Sequence, residues 1–243
     1  MRPKLTEQSE RKFGAEFMEK KRNYPNLKQF ARDLGADLFG VADIAQIKKD
    51  FMISPRLLEK LNSAVCIGMR LSAGVLAEIE THPTRLYFHH YKTTNAALDQ
   101  AALKIAAFIQ RKGYLSLPVP ASQIVDWQNQ KAHLSHKKIG ELAGLGWIGR
   151  NNLLVNKKFG SQFRLVTILS NMPLKIDKPV VSACADCRMC IAACPCGAIK
   201  EEVSAFDYRA CFEKLKEFQK QRFVDQYICG VCLKVCTGKK GAK

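Results

Sequence analysis

Four closely spaced cysteines near the C-terminal end form the clearest chemical motif of the sequence. Two residues separate Cys184 from Cys187 and Cys187 from Cys190, and Cys194 follows after three more residues and precedes a proline. Three thiolates within seven residues can bind three corners of one cubane iron–sulfur cluster, and the fourth cysteine of such a run ligates the other cluster in two-cluster proteins. The spacing therefore predicts 4Fe–4S clusters, whose chemistry is one-electron transfer.

A second set of cysteines downstream supplies the remaining ligands. Cys211 stands apart, and Cys229, Cys232 and Cys236 follow with two and three intervening residues. Eight thiolates are what two 4Fe–4S clusters require. The predicted ligands are Cys184, Cys187, Cys190 and Cys236 for cluster one, and Cys194, Cys211, Cys229 and Cys232 for cluster two. Cys196, two residues after Cys194, is predicted to be a spectator.

Zinc and disulfide bonds are the alternative uses of these cysteines. A structural zinc ion takes four ligands, typically as two separated C-x2-C pairs, and the first run overfills that set. Disulfides need an oxidising compartment, but the first 24 residues are polar and charged without the apolar core of a signal peptide. No apolar run approaches the length of a membrane span. We therefore predict a soluble cytoplasmic protein with no membrane partner.

The chain is strongly basic. Its 243 residues carry a formal charge of +17, which stays strongly positive after eight thiolates and two clusters are counted. A basic surface favours an anionic partner, such as nucleic acid, an acidic electron donor or an anionic cofactor. Because the lysines are scattered, with no arginine-rich tail, the charge leaves a nucleic-acid partner and a merely solubilising surface equally open.

The elements that must position the cysteines read as mixed helices and strands. Helices are predicted over 26–35, 56–61 and 96–112, and strands over 36–42, 64–69, 114–119, 152–155 and 163–169, the last two as a hairpin. A linker-like passage over 173–179 leads into the cysteine module. The pattern predicts an α/β (α+β) domain over 1–178 and a cluster-binding domain over 179–243.

Two further segments carry polar or glycine-rich chemistry. The segment 121–136 is dense in polar side chains, including Asp126, which indicates either a loop that faces a ligand or an ordinary solvated loop. Gly144, Gly146 and Gly149 fit the dinucleotide fingerprint, but that fingerprint must follow a strand and open a helix. Here a helical segment precedes it and a strand follows. The glycines therefore let the backbone approach a different flat cofactor, or make a tight turn.

The order of these parts resembles the epoxyqueuosine reductase family, which is related to the reductive dehalogenases. The resemblance rests on the glycine–tryptophan segment 144–155, a hairpin, a proline-rich link, C-x2-C-x2-C-x3-C-P and a distant C-x2-C-x3-C, and it extends from about Asp33 to Cys236. It implies a nitroreductase-like domain that holds base-off cobalamin, capped by a ferredoxin-like domain with two 4Fe–4S clusters. The candidate cofactor-binding residues are Gly146, Trp147, Gly149, Arg150 and Asn151.

The resemblance also implies an activity and partners. In that family the clusters pass single electrons to cobalt, and the substrate is an epoxide on a modified 7-deazaguanosine at a tRNA wobble position, which is reduced to queuosine. The expected partners are tRNA and an external one-electron donor of the flavodoxin or ferredoxin type. An acidic side chain supplies a proton and must lie within hydrogen-bond reach of the leaving oxygen. Asp126 is the candidate catalytic residue, although the family spacing places Gln130 at the acid's position.

Three functions remain open at this point. The first is a cobalamin-dependent reductase of epoxyqueuosine or a relative. The second is a 4Fe–4S electron-transfer protein without cobalamin, and the third is a basic nucleic-acid-binding module with structural clusters. A cavity between the two domains, lined by Asp126, Trp147 and the residues after Gly149, would favour the first.

Overall fold

The structure is a computed structural model that describes residues 7–182 and 184–238, with side chains from residue 17 onward. In chain order the helices are α1 (Glu7–Asp33), α2 (Pro55–Leu58), α3 (Ala73–Ala77), α4 (Arg85–Arg111), α5 (His136–Leu142), α6 (Met189–Ala193), α7 (Tyr208–Lys220) and α8 (Val231–Val235). The strands are β1 (Leu38–Asp43), β2 (Ser63–Arg70), β3 (Ser116–Val119), β4 (Trp147–Ile148), β5 (Leu154–Val155) and β6 (Phe163–Ser170). None of these helices is long and apolar enough to cross a membrane.

A four-stranded antiparallel sheet, ordered β1-β2-β6-β3, forms the centre of the first part of the chain. The central strands β2 and β6 are almost continuously buried, because both faces of the sheet are covered. On one face, Leu27 of α1 and Leu98 of α4 pack with Val65 of β2. On the other face, Ile139 of α5 packs with Leu165 of β6. This mixed α/β layering agrees with the predicted class.

The cysteine module packs against the first part of the chain through its own apolar core. Tyr87 and Tyr91 of α4 and Ile79 contact a cluster that includes Ile228 and Val231 of the module. Lys234 adds hydrogen bonds from its ammonium to the carbonyl oxygens of Ala77 and Ile79. The module is therefore fixed against α4, while the domain boundary predicted at residue 178 stays a prediction.

Three local predictions from the sequence were wrong in extent or pairing. The helix predicted over 26–35 is the C-terminal end of the longer α1, which begins at Glu7. The helix predicted over 96–112 already begins at Arg85, because the Thr84 hydroxyl accepts a hydrogen bond from the Tyr87 amide. The predicted hairpin of 152–155 with 163–169 does not form, since β5 pairs with β4, and β6 pairs with β2 and β3.

Candidate iron–sulfur and cofactor site

A cleft of about 730 Å³ lies between the first part of the chain and the cysteine module. We call it the interface cleft. The first part lines it with Tyr87, Tyr91, Gln128, Asn129, Gln130, Lys137, Asn151, Asn152, Leu153 and Arg164, and the module lines it with Cys194, Cys196, Cys211, Cys229, Cys232 and aromatic residues such as Tyr208, Phe212 and Tyr227. A cavity of this size that combines aromatic walls with a few polar groups is typical of a cofactor or ligand site.

The four cysteines predicted to bind cluster two all line the interface cleft. Burial, with smaller contributions from the neighbouring thiols of Cys211 and Cys194, raises the pKa of the Cys229 thiol to about 12. Burial also raises the pKa of Cys232 well above its ordinary value, with Cys229 and Cys211 acting in the same direction. Thiols that affect one another's pKa lie in one neighbourhood, and a bound iron would favour their deprotonated form.

The four cysteines predicted to bind cluster one form a second neighbourhood. Burial, with smaller contributions from the nearby thiols of Cys236, Cys184 and Cys187, raises the pKa of the Cys190 thiol to about 11. Helices α6 and α8 pack on each other and bring Cys236 to the first cysteine run. The two neighbourhoods coincide with the two predicted ligand sets, and their binding of clusters stays a prediction.

Two details of the thiol groups bear on what they could hold. Among the described residues, no three His, Cys, Asp or Glu side chains are close enough together to hold a single metal ion. Each group of four thiols matches the ligand set of a cubane cluster better than that of a single ion. In a cubane each of the four thiolates binds a different iron, so the thiols need not converge on one point. Cys196, predicted to be a spectator, has its Sγ 3.8 Å from Cys194 Sγ and also lines the interface cleft. The thiol chemistry fits two iron–sulfur clusters.

The glycine–tryptophan segment lies mostly against the cluster-one loop and not in the interface cleft. The buried Trp147 donates a hydrogen bond from its indole nitrogen to Cys184 Sγ at 3.2 Å. Arg150 donates three hydrogen bonds to the carbonyl oxygens of Ala185, Cys187 and Glu201, at 2.9, 3.0 and 2.7 Å. This segment thus joins the first part of the chain to the cysteine module.

Two of the three glycines of this segment, Gly146 and Gly149, support the tight-turn alternative, because neither position has room for a side chain. A Cβ on Gly146 would lie 2.0 Å from the Val155 carbonyl oxygen, and one on Gly149 would lie 2.6 Å from Val155 Cγ2. Asn151 is the one member of the five cofactor candidates that lines the interface cleft. Its amide is buried and donates a hydrogen bond to Ser161. A cofactor role for the other four stays a prediction.

Asp126 lies outside the lining of the interface cleft. Its carboxylate accepts hydrogen bonds from the backbone amide and the side-chain amide of Asn129, at 3.0 and 2.8 Å. These bonds hold its pKa below the ordinary range for aspartate, so the group is ionised at neutral pH and carries no proton to donate. The next residues of the same loop, Gln128, Asn129 and Gln130, do line the cleft.

Sequence reasoning missed Tyr91, Arg164 and Lys137, which line the same cleft. The Tyr91 hydroxyl is hydrogen-bonded to Ser122 Oγ at 2.7 Å, and Arg164 Nη2 donates to it at 3.3 Å. Although burial acts in the opposite direction, Arg164 and the hydrogen bonds of Ser122 and Asn95 lower the pKa of the Tyr91 hydroxyl. Since these groups come from distant parts of the chain, no spacing in the sequence could have indicated them together.

Lys137 is the third missed group. Burial lowers the pKa of its ammonium to about 8. Its Nζ donates hydrogen bonds to the carbonyl oxygen and to Oδ1 of Asn152 at 2.9 and 2.6 Å, and it lies 5.8 Å from the centre of the Tyr208 ring. It therefore adds a titratable ammonium group to the cleft.

No protein-family model matches the chain. The epoxyqueuosine reductase of Aliivibrio fischeri is 31% identical over 163 residues, which are 63% of this chain and 41% of that protein. The epoxyqueuosine reductase of Cyclobacterium marinum is 27% identical over 255 residues, covering 89% of this chain and 79% of that protein. The chain is similar to the epoxyqueuosine reductases. It spans less than half the length of the Aliivibrio relative and 30% of the Bacillus cereus one.

Solved structures give the same likeness at the level of the fold. The epoxyqueuosine reductase of Streptococcus thermophilus has a TM-score of 0.62 and 19% identity, with 90% of this chain and 66% of that one covered. A catabolic reductive dehalogenase in complex with 3-bromo-4-hydroxybenzoic acid has a TM-score of 0.69 and 20% identity, with 86% and 31% covered. The predicted fold class, shared with epoxyqueuosine reductases and reductive dehalogenases, is confirmed.

Proposed function

We propose that this protein is an iron–sulfur, cobalamin-dependent reductase that acts on epoxyqueuosine in tRNA or on a related substrate. The interface cleft carries the proposal, because one of its walls holds the predicted cluster-two thiols and the opposite wall holds proton-bearing side chains. A reductase needs this pairing of an electron source with a proton source across one ligand space. The similarity to epoxyqueuosine reductases supports the choice of substrate class.

The eight predicted cysteines hold the two clusters in this proposal. Cluster one lies behind the cleft, since Cys184, Cys187, Cys190 and Cys236 are not among its lining residues, whereas the cluster-two cysteines face it. Burial raises the pKa of the Cys232 thiol, and Cys190 of the other group contributes to the same effect, which makes the two groups neighbours. Cluster one away from the cleft and cluster two facing it together support an electron path from an external flavodoxin- or ferredoxin-type donor through cluster one to cluster two.

The interface cleft is the proposed cobalamin site. Its open shape, aromatic walls and size fit part of a large flat cofactor, and Asn151, Leu153 and Tyr208 would contact it. When bound, cobalamin supplies a reducible cobalt ion within the cleft. The dehalogenase fold relatives include one described for B12-dependent dehalogenation, which supports this cofactor.

The proton required by the reduction is proposed to come from the cleft wall and not from Asp126. Tyr91 holds a proton at neutral pH, and Arg164 beside it would stabilise the phenolate that remains after donation. A general acid must lie within hydrogen-bond reach of the group that it protonates. Tyr91 faces the ligand space, whereas Asp126 is ionised and outside the lining.

The proposed nucleic-acid partner is tRNA. A solved epoxyqueuosine reductase with a TM-score of 0.60 to this chain is bound to an epoxyqueuosine-modified tRNA stem loop. The strong positive charge of this chain favours such an anionic partner. We also propose a cytoplasmic location, where modified tRNA occurs.

Anaerobic reconstitution with iron and sulfide, followed by titration with cobalamin, tests the proposal. Two Cys-ligated cubanes require about eight irons per chain, and we expect one cobalamin per chain with the visible spectrum of its base-off form. Reduction of a tRNA stem loop that carries the epoxide then tests the substrate. About eight irons with no bound cobalamin would refute the cofactor assignment.

A 4Fe–4S electron-transfer protein without cobalamin is the second candidate function. Two observations favour it: Gln130 stands where the resemblance places an acid, and four of the five candidate cofactor residues, all except Asn151, do not line the cleft. Under this alternative the basic surface would dock an acidic redox partner. The cobalamin titration separates the two functions.

A further inference from the structure

We propose that Trp147 sets the reduction potential of cluster one by donating an N–H···S hydrogen bond to its ligand Cys184. The indole nitrogen lies 3.2 Å from Cys184 Sγ. The inference rests on the proposed cluster-binding function, and it assigns to Trp147 a positioning and tuning role in place of the cofactor contact expected from the sequence.

The indole is held rigidly at the sulfur. Trp147 pairs with Val155 in the β4–β5 ladder, and its side chain is 6% exposed. Gly149 lets the segment pass close to β5, because a Cβ at that position would lie 2.6 Å from Val155 Cγ2, whereas Cys184 Sγ would be at an ordinary contact distance of 3.5 Å. The donor is therefore placed by the strand pair of the first part of the chain, not by the cysteine module itself.

Arg150 fixes the loop that carries the accepting sulfur. Its three hydrogen bonds to the carbonyl oxygens of Ala185, Cys187 and Glu201 tie that loop to the end of the glycine–tryptophan segment. Ala185, between two predicted ligands, has a φ of 39°, in the left-handed region that non-glycine residues rarely adopt. The loop thus keeps a defined conformation in which Cys184 Sγ meets the indole N–H.

A hydrogen bond at this sulfur favours the reduced cluster. Reduction adds one negative charge to the cluster, part of which lies on the ligand sulfurs, and an N–H donor binds a more negative acceptor more strongly. Hydrogen bonds to the sulfurs are among the factors that set the potentials of iron–sulfur clusters. The indole donates only and does not titrate, so the effect holds across pH.

The position of cluster one explains why a raised potential would help electron transfer. Its predicted ligand Cys187 is exposed, as is Met189 two residues later, whereas the cluster-two thiols face the interface cleft. Cluster one is therefore the entry point for an external electron. A raised potential at the entry cluster favours electron capture from the donor.

Trp147→Phe tests the inference, because phenylalanine keeps an aromatic ring and removes the N–H. Potentiometric titration monitored by electron paramagnetic resonance measures the potentials of the two clusters. The signal that is lost in the Cys187→Ala protein is assigned to cluster one. We expect full iron content and a more negative cluster-one potential. Loss of one hydrogen bond that favours the reduced cluster should lower the equilibrium constant for its reduction by roughly tenfold. For a one-electron reduction this corresponds to a shift of about 59 mV in the potential. An unchanged potential with full iron would overturn the inference.

Trp127→Phe is the matched control. Trp127 is the other tryptophan of the chain, it is 61% exposed, and it lies on the loop beside the cleft. The same substitution there should leave the cluster-one potential unchanged. An equal shift in both variants would show a nonspecific effect and would also overturn the inference.

A second measurement covers the case in which Trp147→Phe loses cluster one. In the Trp127→Phe protein, labelled with indole-¹⁵N tryptophan, the reduced cluster one should show magnetic coupling to the single indole nitrogen that remains. Absence of that coupling would refute the hydrogen bond. A protein that binds no iron at all would instead refute the proposed cluster-binding function, which keeps the two failures distinct.

Discussion

The sharpest functional prediction concerns Tyr91→Phe, which removes one hydroxyl from the interface cleft and leaves the ring in place. That hydroxyl is hydrogen-bonded to Ser122 and accepts a bond from Arg164. Arg164 keeps its bond to Asn95 Oδ1 at 3.0 Å and its position 4.5 Å from the ring centre of Tyr91. The substitution should therefore change the proton supply much more than the fold.

Two magnitudes follow from this geometry. Loss of a positioned general acid slows the chemical step by roughly 10²–10⁴-fold. The lost hydrogen bond to a half-buried guanidinium that retains other partners should destabilise the folded state by about 1 kcal/mol. Iron content and cobalamin binding should stay at the wild-type level, because Tyr91 contributes no ligand atom.

Single-turnover reduction of an epoxide-bearing tRNA stem loop, started from the fully reduced protein, is the assay. Asp126→Asn should change the rate by less than about threefold, and Tyr114→Phe, whose hydroxyl bonds Glu19 away from the cleft, serves as the matched control. Because the donor must hold its proton, the wild-type rate should fall as pH rises through the lowered pKa of Tyr91. A near-normal rate in Tyr91→Phe together with a large loss in Asp126→Asn would refute this reasoning and restore Asp126 as the acid.

Three further predictions concern the clusters and the stability of the fold. Cys190→Ala should remove about half of the iron and loosen the cysteine module, since cluster ligands couple to folding; full iron by chemical assay would show that the ligand set is wrong. Cys194→Ala should keep nearly all its iron, because Cys196 Sγ lies 3.8 Å away and can replace it, whereas adding Cys196→Ala should remove about half; loss in the single variant would restore Cys196 as a spectator. His136 is half-buried, and desolvation lowers its pKa from 6.5 to about 4. The unfolded state therefore binds the proton first, and the free energy of unfolding should fall between about pH 6.5 and 4, by up to about 3 kcal/mol. Urea unfolding across that range measures it, and an equal slope in His136→Asn would contradict the assignment.

The sequence by itself determined the features that depend on local spacing. The run from Cys184 to Cys194 specifies its chemistry within eleven residues, because the ligand loop of a cubane is a local structure. The apolar run of β2 likewise predicted a buried strand, and the sequence also predicted a strand at β6. The likeness to epoxyqueuosine reductases also followed from the linear order of motifs.

Tertiary structure decided the contacts between distant segments, which spacing does not encode. The indole of Trp147 reaches a sulfur 37 residues away, and Tyr91 meets Arg164 across 73 residues. The pairing of β5 with the nearby β4, and of β6 with β2 and β3, likewise depends on which strands the fold brings side by side. Asp126 depends on tertiary structure in the same way: the Asn129 hydrogen bonds that hold its pKa low exist only in the folded loop, and its catalytic role stays a prediction.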